Sequence, residues 1–196
     1  MLVQIAGPSG VGKTDVTREL IKLDQYRVVN TYTTRNLREA ETEKVSVCGE
    51  VFFKMQSNNE FFCVDEFFGN NYGISVSDIE TAITTNDKCF ILDRPVWKWE
   101  TFKELSTIKI ILLPESLDSL IARVNQCDRN ERLPVIIDDF ENNYKIFYQE
   151  ENQDPSILIV VNQEFKIEET VAKVHSFICQ HLISSRGRTP RPFARW

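Results

Sequence analysis

Residues 7–14 read GPSGVGKT, directly after the apolar run LVQIA at 2–6. The pattern is GxxxxGK(S/T), a glycine-rich turn between a strand and a helix whose backbone N–H groups surround phosphate oxygens. Gly7, Gly10 and Gly12 let the backbone come close to a ligand with no Cβ in the way. Ser9 and Val11 complete the loop. Lys13 is expected to reach the β- and γ-phosphates, and Thr14 to offer its hydroxyl to Mg²⁺. The expected ligand is therefore a nucleoside triphosphate, bound with Mg²⁺.

Outward from this loop, the chain reads as an α/β domain. Val16, Leu20 and Leu23 have helical spacing after the loop. RVVN at 27–30 reads as a short strand. CFIL at 89–92, ending on Asp93, and the apolar run at 108–113 read as buried parallel strands. Leu117, Leu120, Ile121 and Val124 follow an opening Pro114-Glu115-Ser116 at helical spacing. A last strand is expected at 157–161 and an amphipathic helix on Val171, Val174, Ile178 and Leu182. Alternating strands and helices predict three layers around a mostly parallel sheet, the P-loop NTPase fold. Residues 31–80 break this alternation. Their aromatic pairs Phe52-Phe53, Phe61-Phe62 and Phe67-Phe68 read as a small sheet-rich insertion. The expected organisation is a single domain over 1–185, with an acceptor-binding insertion at 31–80 and a lid at 123–140. The tail 186–196 holds four arginines and no acid, and is expected to be poorly ordered.

Composition narrows the class. The chain has 196 residues, 42% of them hydrophobic and 27% charged, which suits a globular domain with a real core. A net charge of −6 argues against a general binder of nucleic acid or membrane surface. No signal peptide or membrane span is expected, and the five scattered cysteines suggest reduced thiols in a cytoplasmic compartment. His175 and His181, on the final helix, read as structural. The expected assembly is a monomer or homodimer.

Three features bear on what happens to the phosphate. Arg35 and Arg38 in TTRNLR can hold an anionic group by charge-assisted hydrogen bonds. Asp93, at the end of a strand, can orient the waters of Mg²⁺. Arg123, Arg129 and Arg132 can close over transferring phosphates.

Together these residues resemble the guanylate kinase family of nucleoside monophosphate kinases, from residue 2 to about 162. The resemblance rests on GPSGVGKT, TTRNLR for TTR-x-x-R, NNEFFCVDEFFGNNYG for NNEF…GNxYG, FILD and the closing IVVN. It implies that Arg35, Arg38 and Tyr72 hold the acceptor phosphate, that Lys13 and Thr14 serve ATP and Mg²⁺, and that Arg123 and Arg129, with Arg132, belong to the lid. Lys13, Arg35, Arg123 and Arg129 are then the expected catalytic set. The departures lie in the base pocket. Cys63 stands where the family places a Glu that reads guanine, and Pro95 where it places a second acid. Ile74 stands for a Ser or Thr, with Ser75 following, and Val51 or Phe52 for a tyrosine.

Asp93-Arg94-Pro95 resembles the DR pair of thymidylate kinases, where the arginine contacts the acceptor's phosphate. DRNE at 128–131 resembles their lid. A pyrimidine or modified deoxynucleotide is thus a second expected acceptor, and a ribose bisphosphate a third. A binding module that holds phosphopeptides in the acceptor groove is the competing class, against which the intact Lys13 and Thr14 argue. A regulatory GTPase would need an NKxD segment, which the sequence lacks.

Overall fold

The computed structural model describes residues 1–37, 41, 43–85, 87–96, 99–102, 105–126, 130–148 and 154–185. Its central sheet has five strands, β1 (Leu2–Ala6), β2 (Tyr26–Val28), β7 (Cys89–Asp93), β8 (Ser106–Leu113) and β9 (Ile157–Val161), in the order β2-β7-β1-β8-β9. Every pairing in it is parallel. Such a sheet is covered on both faces, so β1 is buried throughout and β8 is buried from Ile108 to Leu113.

Alternation along the strands divides the apolar residues between two cores. Val3, Ile5 and Ile91 point to one side, where α1 (Lys13–Leu20) packs on α7 (Ile167–Ser185) through Val16, Leu20, Val174 and Ile178. Leu2, Phe90 and Leu92 point to the other and meet Ile79 and Ala82 of α3 (Val76–Thr84) and Phe102 of α4 (Trp99–Phe102). Helices on both faces give the three layers that the sequence predicts. Helix α1 is shorter than expected: it stops at Leu20, and Leu23 is 39% exposed beyond it.

A second sheet lies within the aromatic region. Strands β3 (Thr31–Thr33), β4 (Lys44–Ser46), β5 (Phe61–Phe67) and β6 (Asn70–Ser75) are ordered β4-β3-β6-β5, with β6 antiparallel to both neighbours. The sheet reading misses α2 (Gly49–Ser57), a helix across the first aromatic pair. One face of that pair is core, since Phe52 is fully buried and stacks on Phe61 at 4.7 Å, while Phe53 is 56% exposed. One residue in each pair therefore faces solvent or the opposite side, and doublets alone do not separate a helix from a strand.

The chain after β8 forms α5 (Leu117–Gln126), a 3-10 turn at Asn130–Arg132 and α6 (Leu133–Asp139). The helix continues as a π-helical segment, Phe140–Tyr144, and a 3-10 turn, Lys145–Tyr148. No helix among the described residues is long and apolar enough to cross a membrane.

Candidate active site

The parallel register sets the site. Ile5 on β1 lies beside Asp93 at the end of β7, and Ala6 beside Ile111 of β8. The loop 7–12 thus leaves the central strand at the carboxyl edge of the sheet, where open α/β sheets bind ligands. The turn is tight. A Cβ at Gly7 would lie 2.6 Å from the Leu112 carbonyl oxygen, and Gly12 has φ +99° with the Asn162 amide 2.6 Å from where a Cβ would sit. Val11 is fully buried beneath the loop. Asn162, immediately after β9, donates from Nδ2 to the Val11 carbonyl at 2.7 Å.

Arg123 lies on α5 and braces this arrangement. Its guanidinium donates to the Val11 carbonyl at 3.4 Å and the Asn162 carbonyl at 2.9 Å. The structure therefore sets Arg123 against the base of the loop rather than on a flap above it. The physical reason is the helical phase of α5, which puts Leu120 and Val124 in the core and carries Arg123 along the loop edge. Arg129 and Arg38 lie outside the described residues.

Lys13 opens α1 and curls back over its own loop, donating to the Gly7 and Pro8 carbonyls at 2.8 and 3.1 Å. Asp93 Oδ1 is 4.0 Å from its Nζ. A further carboxylate, Asp139 at the end of α6, feels the Lys13 charge. Burial pushes Asp139 up to about 6, against the opposing pull of the Asn143 amide and of Lys13. Next to it, Tyr144 is fully buried, receives the Val96 N–H at 3.1 Å and receives the Gly7 N–H. Burial pushes its phenol well above the ordinary tyrosine range, so it stays protonated. The π-helical segment thus fastens α6 to the phosphate-binding turn.

The second sheet supplies the opposite wall. Thr33, Tyr72 and Asp65 are successive cross-strand partners on β3, β6 and β5 and so share one face of the sheet. Arg35 follows directly after β3, with its backbone N–H on Thr33 Oγ1 at 3.3 Å and its carbonyl bound by Ser46 Oγ at 2.9 Å. Its guanidinium pairs with Glu41 at 2.5 Å. The Glu41 hydrogen bond, then its charge and the Tyr72 hydroxyl, outweigh burial and raise the Arg35 pKa further. Lys44 stands 3.4 Å from Glu41 and 2.8 Å from Glu43. Burial pulls its pKa down, but Asp93, Glu43 and Glu41 together more than offset this and raise it. The charges fall into a chain of two ion-paired groups, Lys13–Asp93 and Lys44–Glu41–Arg35, with the Asp93 charge also acting on Lys44.

Arg94, the residue after Asp93, does not join that chain. It is 5% exposed and turns toward β5, donating to Asp65 Oδ2 at 3.2 Å and approaching Cys63 Sγ at 3.9 Å. Arg132 sits 4.7 Å over the ring of Phe68, at the tip of the β5–β6 hairpin, and joins the α6 region to the second sheet. His175 binds the Tyr26 hydroxyl at 2.7 Å, and His181 two backbone carbonyls, far along the chain from these groups. Cys179 also lies 3.7 Å from His175, a neighbour at i+4 that the sequence reading did not pair with it. No cluster of three metal-binding side chains occurs among the described residues, and Cys48, Cys63, Cys89 and Cys179 are free thiols.

Sequence reasoning missed Glu41, Lys44 and Asp65. Asp65 alone left a signal, since strand alternation puts it on the same face as Cys63. The others reach the site through tertiary packing.

A strand–loop–helix of P-loop sequence at the carboxyl edge of a parallel sheet, with an inserted second sheet, is the architecture of a P-loop phosphotransferase. The guanylate kinase family model matches residues 1–181, and the chain belongs to that family of nucleoside monophosphate kinases. It is 26% identical to the guanylate kinase of Mycoplasmoides gallisepticum over 92% of this chain and 93% of that one. It is 31% identical to MAGUK p55 subfamily member 7 of Danio rerio, over 54% of this chain but 19% of that much longer protein. The crystal structure of guanylate kinase from Anaplasma phagocytophilum superposes with a TM-score of 0.66, at 22% identity, over 97% of this chain and 88% of that one, which shows the shared fold.

Proposed function

We propose that this protein transfers the γ-phosphoryl group of ATP to the phosphate of a nucleoside monophosphate, with GMP the first candidate acceptor. The observation that carries this reading is the Lys13–Asp93 ion pair at the P-loop together with the Lys44–Glu41–Arg35 group on the second sheet, whose Lys44 also feels the Asp93 charge. An acceptor phosphate oxygen forms the new bond to the γ-phosphorus. The bond to the β–γ bridging oxygen breaks, and ADP leaves with the electron pair. The acceptor is already anionic near neutral pH, with a second phosphate pKa of about 6, so no strong base is needed. Positioning and charge neutralisation do the work.

Lys13 exchanges its two loop carbonyls for phosphate oxygens. Arg35 and Tyr72 fix the acceptor phosphate, together with Arg38. Arg123 keeps the loop in shape by bracing Val11 and Asn162. Arg129 and Arg132 belong to the lid region that completes the site. The donor set fits Mg²⁺, with the Thr14 hydroxyl and the Asp93 carboxylate as hard oxygen groups flanking Lys13. Bound with ATP, Mg²⁺ would neutralise charge on the β- and γ-phosphate oxygens. Free thiols suit a reducing compartment such as the cytoplasm.

The test is coupled ADP release from Mg-ATP with a panel of ribo- and deoxynucleoside monophosphates, ribose 1,5-bisphosphate included. Turnover with a monophosphate supports the assignment. Binding of phosphorylated peptides without turnover would replace it with a groove-binding module.

A further inference from the structure

The base pocket of the acceptor site has changed its chemistry. Cys63 and Pro95 remove the two acids that the family resemblance leads one to expect there. Beside Cys63 stands an ion pair, Arg94 and Asp65, joined at 3.2 Å with side chains only 6% and 18% exposed. Asp65 lies directly across from Tyr72, and Cys63 one step further along β5, so the pair continues the wall that begins at the phosphate-binding Arg35. Arg94 brings five N–H donors. The groups that meet it, one carboxylate oxygen and one thiol, do not use them all, and its buried Nε has no partner. A buried donor left unpaired is costly, so Arg94 has hydrogen-bonding capacity that its protein partners leave unused and that a ligand bringing acceptors would satisfy.

We infer that Arg94 and Asp65 read the acceptor's base, Arg94 donating to a ring carbonyl and Asp65 accepting from the adjacent ring N–H. This deepens the kinase reading and rests on it. The chemistry is that of an oxo base, a 6-oxopurine or 4-oxopyrimidine, whose edge presents C=O next to N–H. Adenine and cytosine put an amino donor where that carbonyl stands and would set it against the guanidinium. Cys63, a weak hydrogen-bonding group, closes the pocket without adding a second acid.

Two pairs of nucleotides isolate this contact, since IMP and AMP differ at the 6-position and UMP and CMP at the 4-position. Their binding is measured by calorimetry with Mg²⁺ and a non-hydrolysable ATP analogue. In the wild type IMP should bind about tenfold or more tightly than AMP, or UMP than CMP, according to ring size. In Arg94→Met that preference should collapse toward one, with thermal melting confirming the fold. Should Arg94→Met not fold, Asp65→Asn, which keeps the side-chain shape, should narrow the same ratio. GMP and dTMP then tell which ring size the pocket accepts. Equal affinity for both members of each pair overturns the inference, as does a ratio unmoved by the variants or a loss in Arg94→Met that is equal across all acceptors, which would assign the arginine to the phosphate. Binding without phosphoryl transfer would overturn the kinase reading alone, and absence of monophosphate binding would overturn both.

Discussion

Lys13 is part-buried and held by carbonyls of its own loop, so its charge can be deleted without leaving a core cavity. Lys13→Ala should therefore lower turnover by about 10²–10³-fold or more while the thermal melting curve stays in place. Steady-state kinetics beside melting checks this, and normal turnover would contradict the role. Asp139 offers a test in pH. Its folded-state pKa, about 6, lies above the ordinary 3.8, so the folded protein holds that proton more tightly than the unfolded one. Stability from this group is present at low pH and declines as pH rises through that interval. Asp139→Asn, which cannot ionise, should flatten that part of a melting profile taken from about pH 4 to about pH 7. An unchanged slope would show that another group titrates there. Residues of the donor loop were legible in the sequence because phosphate binding needs a local pattern. The place of Asp139 near Lys13 was not legible, because it arises only from the packing of α6.

Among the elements, β1, β7, β8 and β9 were legible as apolar runs, since strands covered on both faces carry no polar alternation. Helix α2 was hidden for a related reason. Its Phe52-Phe53 doublet sits among other aromatic doublets that do lie in strands, and the helix has only nine residues in which to show its period. Its buried member holds the insertion together by stacking on Phe61, which in turn fills the space left by Gly73. Phe52→Ala should cost about 3–5 kcal/mol, read from denaturant unfolding, and weaken acceptor binding more than ATP binding. A loss below about 1 kcal/mol would show that α2 is peripheral to the insertion. Arg132 reaches the second sheet at Phe68, whereas Arg123 donates to the Val11 carbonyl at the base of the loop.

At the scale of the molecule, the second sheet joins the main one through one small core, where Ile74 and Ile79 meet Leu2, Phe90 and Leu92. Strands β3 and β4 contribute none of their described residues to either core, yet Lys44 lies on β4 and Arg35 just after β3. The insertion can therefore pivot about its β6–α3 edge and close when both substrates neutralise the facing charges. Proteolysis of the insertion should slow most with ATP analogue and acceptor together, more than with either alone. Equal protection by ATP analogue alone would contradict closure on the acceptor. The departures at Cys63 and Pro95 could be read in the sequence, as could Arg94 as an acceptor-site candidate, but its pairing with Asp65 could not, because the two are 29 residues apart and meet only through tertiary packing. The central claim is that phosphate, rather than water or a hydroxyl, receives the γ-phosphoryl group. Phosphorus NMR of the protein with Mg-ATP and GMP, and with dTMP in parallel, follows it directly. ATP and monophosphate signals should fall together as ADP and a nucleoside diphosphate rise. Inorganic phosphate rising alone, or no change with either acceptor or with the remaining nucleoside monophosphates, would contradict it.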